Sequence, residues 1–447
     1  MNKTLPLTGG LVEKFNGGAK ETAEVFRNRV YESEDQIMVT GKKFYVSQNG
    51  NDENDGVSPD TPFKTLEKVR QLSDSLNPGD GVFFERGSAF RTVSDLDLVN
   101  GVTYGAYGKG KKPEINGSER NFSDKSEWSL TENKNIWKMV FPLTDAGIIV
   151  LDGGKEVGKK QIELSELTEN DDFYHDWDEK ILYFYCDRGN PAEVFSDIEI
   201  GVKTRLFHMP REAKDIIIDN IDFRIAGLFG IRSDGAAKNI TVTNCTFAWI
   251  GGALFNNKSN RFGNGIEFAD GCEDITIRNC YFEQIFDSGV TFQIGSSLYR
   301  NFTVEDCLFE YNGMSGFEWW TKGDDGEKDG IPIDVTGIEN IAIRNNIIRL
   351  TGYGWSKATR SPAHIRNGWR DKWYPNMKNF VVSGNVFDCV EGKIISSGWR
   401  IAPEGYMVSD NAYYQGKSEF LPNYEEFVCT VETFDKSPQK IEWISNL

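Results

Sequence analysis

The second half of the chain repeats a short pattern of apolar and polar residues. Each copy joins the β-branched residues of a short strand to a small polar residue and ends on a large apolar residue. The copies are 217-IIDNIDF-223, 241-TVTNCTF-247, 276-TIRNCYF-282, 303-TVEDCLF-309, 342-AIRNNII-348 and 381-VVSGNVF-387. The repeating unit is about two dozen residues long, with insertions in several copies, and units of this length predict a solenoid whose coils bury their apolar faces by stacking.

The period of the pattern selects the kind of solenoid. Alternation with a period of two and β-branched residues exclude helical repeats, and the leucine spacing of leucine-rich repeats is absent. A parallel β-helix remains, with stacked columns of equivalent side chains. The predicted interior column is Phe223, Phe247, Phe282, Phe309, Ile348 and Phe387. A cysteine column (Cys245, Cys280, Cys307) and a polar turn ladder (Asn220, Asn244, Asn279, Asp306, Asn345) are predicted beside it.

A second strand follows each repeated strand, and a glycine leads most copies. These strands are 230-GIRSDG-235, 265-GIEFADG-271, 289-GVTFQIG-295, 316-GFEWWTKG-323 and 363-AHIRNG-368. Successive side chains of a strand point to opposite faces, so residues such as Ile266 and Phe268 are predicted to point inward. The residues predicted to point outward are Arg232, Glu267, Thr291, Glu318 and His364, with Gln293, Trp320 and Arg366 two places further on.

The bulk composition limits the kinds of molecule that the protein is expected to bind. A net charge of −18 over 447 residues opposes binding to nucleic acid or to an anionic membrane. The chain shows neither a signal-peptide core nor eighteen consecutive apolar residues, and a cytoplasmic location is therefore expected. Seven cysteines, three of them inside the repeat, predict reduced core thiols in place of disulfides.

The first half of the chain carries a resemblance to a known superfamily. Residues 43-KFYVSQNGNDENDGVSPDTPFKTLEKVRQL-72 read as a strand, a glycine-rich turn and a helix that begins near Asp60–Pro62, and 78-PGDGVFFERG-87 returns to strand. This opening resembles that of right-handed parallel β-helix proteins of the pectate-lyase superfamily. The segment 172-DFYHDWDEKILYFYCDRGNP-191 resembles a strand pair that interrupts their early coils. The resemblance implies a carbohydrate-active protein, although the superfamily includes lyases, hydrolases, epimerases and phage tail proteins.

The predicted architecture is all-β: a right-handed parallel β-helix with an N-terminal capping helix and a small inserted β subdomain. A helix at the open end of the solenoid would protect its edge from pairing with other chains. The predicted divisions are an N-terminal arm (1–42), the capping helix and first coils (43–125), an inserted antiparallel segment (126–200), the main β-helix (201–400) and a C-terminal coil and cap (401–447).

The outward column predicts chemistry because it contains carboxylates and arginines where a solvated face would carry lysine and serine. Coils lie about 4.8 Å apart, so Glu267 and Glu318, separated by Thr291, would be about 9.5 Å apart. This matches the upper end of the separation in inverting glycoside hydrolases, about 6.5–9.5 Å, whereas a pair with Asp287 could approach the roughly 5 Å of a retaining mechanism.

The leading hypothesis is a glycoside hydrolase that acts on oligosaccharides, with Glu267, Asp287 and Glu318 as acid and base. Long insertions at 251–264, 321–337 and 352–375 would build a cleft beside the column. The predicted substrate-binding residues are Arg232, Asn264, Thr291, Gln293, Trp320, Lys322, Tyr353, Trp355, His364 and Arg366. No cofactor or resident metal is predicted, and the sequence leaves the oligomeric state open.

Two other hypotheses remain. A polysaccharide lyase would use a base from among Lys258, Arg261, Lys322, His364 and Arg366, with Ca²⁺ held by Glu267 and Glu318. A glycan-binding, tailspike-like β-helix would bind without turnover, but a neutral binding groove would not need carboxylates in this number.

Overall fold

The computed structural model describes most of the chain. The described residues are 19–35, 39–255, 259–293, 298–320, 337–356, 362–367, 376–396, 404–437 and 440–444.

Three long parallel sheets form the body of the protein. We name each sheet by one of its residues, and the three residues chosen belong to a single coil. The Thr276 sheet has ten strands: Lys43–Val46, Gly81–Glu85, Thr103–Tyr107, Lys214–Asp219, Ala237–Thr243, Cys272–Arg278, Leu298–Glu305, Gly337–Arg344, Asn376–Ser383 and Met407–Ser409. The Phe282 sheet also has ten: Ala89–Arg91, Glu114–Asn116, Asp222–Arg224, Thr246–Ile250, Tyr281–Ile285, Leu308–Glu310, Ile347–Thr351, Val386–Val390, Ala412–Gly416 and Lys440–Ile444. The Glu267 sheet has eight: Leu96–Asp97, Arg205–Met209, Phe229–Ser233, Ile266–Ala269, Ser288–Gln293, Ser315–Trp320, Ala363–Asn367 and Lys393–Ser396.

Each strand pairs in parallel with the equivalent strand of the next coil, which confirms the predicted β-helix. The predicted interior column is also confirmed. The rings of Phe223, Phe247, Phe282 and Phe309 stack face to face, with centroids 4.9, 4.7 and 4.8 Å apart. All seven cysteines are free thiols, as expected, and the three of the repeat are buried.

The glycines that lead the second strands make room for this column. A side chain at Gly265 would place its Cβ 2.8 Å from Cδ1 of Phe282, and one at Gly289 would lie 2.5 Å from Cδ1 of Phe309. No other residue fits so close to a stacked ring, so the repeated glycine follows from the repeated phenylalanine.

The predicted turn ladder is confirmed. Its members have left-handed backbone conformations, with φ between 51° at Asn279 and 59° at Asn220, which asparagine and aspartate tolerate. Asn279 donates a side-chain hydrogen bond of 2.6 Å to Asn244. A second ladder of Asn346, Asn385 and Asn411, which the sequence analysis did not single out, is buried and bonds the backbone of successive coils.

The described part of the chain contains four α-helices. The capping helix is Leu66–Leu72, with Leu66 and Val69 in the core. It begins later than the predicted Asp60–Pro62, because the Asp52 carboxylate accepts hydrogen bonds from the backbone of Lys64 and Thr65 and holds residues up to Thr65 outside the helix. The remaining α-helices are Ala19–Tyr31, Pro191–Val194 and Tyr424–Phe434.

The helix Ala19–Tyr31 was not predicted within the N-terminal arm. Its apolar face packs on the outside of the Phe282 sheet against Tyr281 and Leu308, and Arg27 forms an ion pair of 2.5 Å with Glu310. Within the described part of the chain, no helix is long and apolar enough to cross a membrane.

The segment between the early and the main coils forms two small, mainly antiparallel sheets. The first contains Ser129–Leu130, Ile136–Val140, Lys159–Lys160, Asp172–Asp176 and Ile181–Tyr185, and the second contains Ala146–Leu151, Glu156–Val157 and Ile198–Val202. A buried ion pair, Asp145 with Lys160, lies within this insert. Asp145 also accepts hydrogen bonds from the indole of Trp177 at 2.7 Å and from the backbone of Leu254 at 2.6 Å.

Loss of the buried asparagine ladder should destabilise the fold. Asn385→Ala removes the acceptor of the Asn346 backbone N–H (2.9 Å) and the donor to the Ile343 carbonyl (2.9 Å). Each buried group left without a partner costs about 1–3 kcal/mol, so the free energy of unfolding should fall by about 3 kcal/mol. In urea denaturation, the control Asn379→Gly, which removes an exposed side chain and keeps a left-handed backbone, should lose less than about 1 kcal/mol. Equal losses would contradict this role.

The Asp145 carboxylate should make the fold sensitive to acid. Burial alone would raise its pKa, but the charge of Lys160 and the hydrogen bonds it accepts outweigh burial and lower the pKa to about 2. The unfolded state binds this proton at a higher pH, near about 4, so the contribution is present above about pH 4 and is lost as the pH falls towards 2. In thermal unfolding, the stability difference between wild type and Asp145→Asn should narrow over that range. A difference independent of pH would show that Asp145 is not the responsible group.

Candidate active site

The Glu267 sheet aligns a row of polar side chains in register. Asp97 pairs with His208, His208 with Arg232, and Arg232 with Glu267. The row continues through Thr291, Glu318 and Arg366. We name these seven residues the polar column. Glu267 and Glu318 are separated by one coil, as predicted, so their Cα atoms are about 9.5 Å apart.

Glu267 is held by three predicted site residues. It is only 2% exposed, and its Oε1 accepts a hydrogen bond of 2.9 Å from Nε of Arg232. Its Oε2 accepts from the amide of Asn264 at 2.8 Å and from the amide of Gln293. The guanidinium balances the buried charge, and the amides fix the orientation of the carboxylate. Two carboxylate oxygens accept about four hydrogen bonds, so this arrangement leaves Glu267 one acceptor position.

Glu318 has an equivalent environment at the other end of the site. It is also 2% exposed. Nη1 of Arg366 donates to its Oε1 at 2.8 Å, and the hydroxyl of Ser288 donates to its Oε2 at 2.9 Å. Each glutamate is therefore neutralised by an arginine on its outer side, and Thr291 lies between the two pairs.

Thr291 is buried and its hydroxyl oxygen has no hydrogen-bond partner in the described part of the chain. A buried hydroxyl without a partner costs free energy, and native proteins contain few of them. This oxygen lies between two charged carboxylates at the centre of the column. Thr291 itself is 0% exposed, so any polar group that bonds to this oxygen has to reach the interior of the column.

Asp287 lies in the turn that leads into the Ser288–Gln293 strand. Its Oδ2 accepts a hydrogen bond of 2.9 Å from the backbone of Gly263, and its backbone carbonyl accepts one of 2.8 Å from Met314. Gly263 and Met314 precede the strands of Glu267 and Glu318. The structure thus places a third carboxylate in the coil between the two glutamates.

The prediction that His364 points outward is wrong. Its ring is fully buried and stacks on Phe387 at 5.6 Å, and its Nδ1 bonds to the hydroxyl of Thr351 at 2.9 Å. Burial lowers the pKa of His364 to about 3. The physical reason is that His364 occupies the position of the leading glycine, which faces the interior column, so that Arg366 takes the place in the polar column.

The predicted aromatic residues are only partly described. Tyr353 is exposed, whereas Trp355 is half-buried and donates its indole N–H to the carbonyl of Gln284 at 2.8 Å. Trp355 covers the guanidinium of Arg261, which lies 5.8 Å from its ring centroid. Burial lowers the pKa of Arg261 to about 10. The side chain of Trp320 and all of Lys258 and Lys322 lie outside the described residues.

Sequence reasoning missed a charged cluster at the N-terminal end of the column. Nδ1 of His208 lies 2.6 Å from Asp97, and its Nε2 lies 2.8 Å from Asp234. Asp234 also accepts hydrogen bonds from Arg232 and from Arg205. The signal was the strand 205-RLFHM-209, which places His208 in register with Arg232 but has no leading glycine.

Asp234 is a partly exposed carboxylate that lies next to the buried Glu267. Its side chain is 37% exposed and shares the Arg232 guanidinium with Glu267. Burial would raise the pKa of Asp234, but the hydrogen bond from His208 and the charge of Arg232 outweigh burial and lower it. Among the described residues, no group of three His, Cys, Asp or Glu side chains is arranged to hold a metal ion.

Comparison with known proteins agrees with the architecture. A family model described as a right-handed beta helix region matches residues 209–367. A curated relative, the lacto-N-biosidase of Bifidobacterium longum subsp. longum, is 26% identical over 229 residues, and the match covers 48% of this chain and 12% of that protein. The chain thus spans about an eighth of the length of this relative.

Similar solved structures include hydrolases and lyases. A glycoside hydrolase aligns over 90% of this chain and 96% of its own (TM-score 0.47, 11% identity). A rhamnogalacturonan lyase aligns over 83% and 82% (TM-score 0.45, 13% identity), and a GH136 lacto-N-biosidase from Eubacterium ramulus over 96% and 69% (TM-score 0.41, 14% identity). The family-model match, together with the parallel register, confirms the predicted right-handed parallel β-helix over the segment that carries Arg232, Glu267, Thr291 and Glu318.

Proposed function

We propose that this protein is a carbohydrate-active enzyme, a glycoside hydrolase that cleaves oligosaccharides at the polar column. The observation that carries the proposal is the pair of buried, arginine-paired glutamates on either side of Thr291, whose hydroxyl has no hydrogen-bond partner among the described residues. Such a site can bind a sugar hydroxyl and place negative charge beside a developing oxocarbenium ion. The match to a lacto-N-biosidase over nearly half of the chain supports a glycan substrate.

In the proposed mechanism, Glu267 acts as the base and Asp287 as the acid. Asp287 donates a proton to the glycosidic oxygen as the bond to the anomeric carbon breaks, and Glu267 takes a proton from the attacking water at its remaining acceptor position. Arg232, Asn264 and Gln293 orient Glu267, while Glu318 and Arg366 complete the charge balance of the site. Substrate would enter from the exposed end at Asp234.

The pairing of the arginines argues against the lyase alternative. A lyase needs a cation, or Ca²⁺, to neutralise the carboxylate of a uronate. Arg232 and Arg366 are already engaged by Glu267 and Glu318, and a guanidinium at hydrogen-bond distance from each glutamate opposes a divalent cation there. The site also contains more carboxylates, buried and accessible together, than a neutral glycan-binding groove would need.

A Glu267→Gln variant should lose activity while a matched variant keeps it. Wild type should release reducing ends from one of three substrates, an aryl lacto-N-bioside, xylo-oligosaccharides or oligogalacturonides, without the ultraviolet absorbance of unsaturated uronates. Glu267→Gln removes the base and should lower kcat by about 10²- to 10⁴-fold. The control Glu273→Gln alters an arginine-paired glutamate of the same coil on the Thr276 sheet and should leave kcat unchanged.

Two results would overturn the hydrolase proposal. Absorbance that appears together with cleavage would make the enzyme a lyase. Substrate binding without turnover in wild type would make the protein a glycan-binding β-helix. Thermal unfolding of each variant separates a catalytic loss from a folding loss.

Thr291→Val should stabilise the protein and impair catalysis. The isosteric change removes a buried hydroxyl without a partner, so the free energy of unfolding should rise by about 1 kcal/mol. The same change removes the proposed contact to the sugar and should lower kcat/KM at least about tenfold. Thr303→Val, on the partly exposed face of the Thr276 sheet, serves as the control. A stabilised Thr291→Val variant with full activity would refute the contact.

A further inference from the structure

We propose that Phe229, Phe262 and Phe255 form an aromatic ledge that binds a further pyranose ring of the substrate beside the polar column. This inference rests on the proposed function and extends it by adding a subsite. The substrate class it implies is an oligosaccharide of more than two residues whose outer ring presents an apolar C–H face.

The three rings form a continuous path from the column to solvent. The guanidinium of Arg232 lies over the ring of Phe229, 5.4 Å from its centroid. Phe229 and Phe262 meet edge to face at 5.7 Å, and Phe262 and Phe255 meet edge to face at 5.2 Å. Phe229 is buried, Phe262 is half-buried and Phe255 is 49% exposed, so the path opens outward.

The exposed ring stands on a rigid support. Phe255 follows directly after Leu254, whose backbone N–H donates to the buried Asp145 carboxylate at 2.6 Å. Leu254 pairs with Arg261 in a two-stranded antiparallel sheet, and Arg261 donates to the Gly252 carbonyl at 2.9 Å. The Phe255 backbone N–H bonds to the Asn260 carbonyl at 2.6 Å. A ring held in place before binding loses little conformational freedom when a ligand covers it.

The surroundings of the ledge favour a sugar over a protein partner. Arg232, Asp234 and His208 supply hydrogen-bonding groups at its inner end, and a pyranose combines an apolar face with hydroxyls at its edge. A stable protein interface buries about 800 Å² on each partner, far more than three rings of which one is half exposed.

The test measures binding in the Glu267→Gln background, so that turnover does not consume the ligand. The probes are lacto-N-tetraose and xylotetraose, each compared with its disaccharide, lacto-N-biose or xylobiose, by calorimetry and saturation-transfer NMR. Phe255→Ala should raise the Kd of the bound tetrasaccharide about tenfold and leave that of the disaccharide unchanged. Phe255→Trp, which keeps a stacking face, should restore the affinity. Phe420→Ala, which removes a 41% exposed ring elsewhere, is the control.

Each outcome is decisive for the ledge. An unchanged tetrasaccharide Kd in Phe255→Ala, an equal loss with the disaccharide, or failure of all four probes to bind would overturn it. Cleavage by wild type with normal binding by Phe255→Ala would leave the proposed function standing and remove only the ledge. Binding that depends on Phe255 without any cleavage by wild type would keep the ledge and overturn the hydrolase.

Discussion

The parallel register between coils fixes which side chains meet, because each strand exchanges its backbone hydrogen bonds with the strand above and below it. A slip of one residue would move every outward side chain to the interior. The stacked rings of Phe247, Phe282 and Phe309 and the buried ladder of Asn346 and Asn385 resist such a slip from inside the solenoid. The spacing of Glu267, Thr291 and Glu318 is therefore a property of the scaffold and does not depend on the loops that surround it.

Charge balance explains the order of residues along the column. Two buried glutamates in adjacent coils would repel one another strongly at low dielectric. The neutral Thr291 separates them, and an arginine lies on the outer side of each. The cost of this arrangement is a buried hydroxyl at its centre that has no hydrogen-bond partner in the described part of the chain. Native proteins contain few such groups, and each one calls for an explanation such as a catalytic role or an ordered water.

The sequence predicts the scaffold well because its signals are repeated. The two-dozen-residue period, the phenylalanine column and the separation of Glu267 from Glu318 each follow from residues that recur in several coils. His364 was misplaced because alternation does not fix the register between coils. Arg366, and not His364, pairs with Glu318, and His364 takes the position of the leading glycine, which faces inward. His208 was missed because the strand Arg205–Met209 belongs to a coil that lacks the glycine signal, and Asp234 because its partners His208 and Arg205 come from that coil. Non-local contacts of this kind, such as His208 with Asp97 across 111 residues, leave no mark in a local pattern.

The buried pair of Asp145 and Lys160 is best understood as a positioning element. Burying two charges costs several kcal/mol of desolvation for each ion, and apolar residues of similar size would often stabilise a fold as well or better. Here the Asp145 carboxylate, which belongs to the insert, also accepts a hydrogen bond from the backbone of Leu254. Leu254 lies in the antiparallel strand pair that directly precedes Gly263. The backbone N–H of Gly263 in turn donates to the Asp287 carboxylate. The buried Asp145 therefore orients the segment that holds Asp287 in place. The insert therefore contributes to the site through the backbone, although the polar column contains none of its side chains.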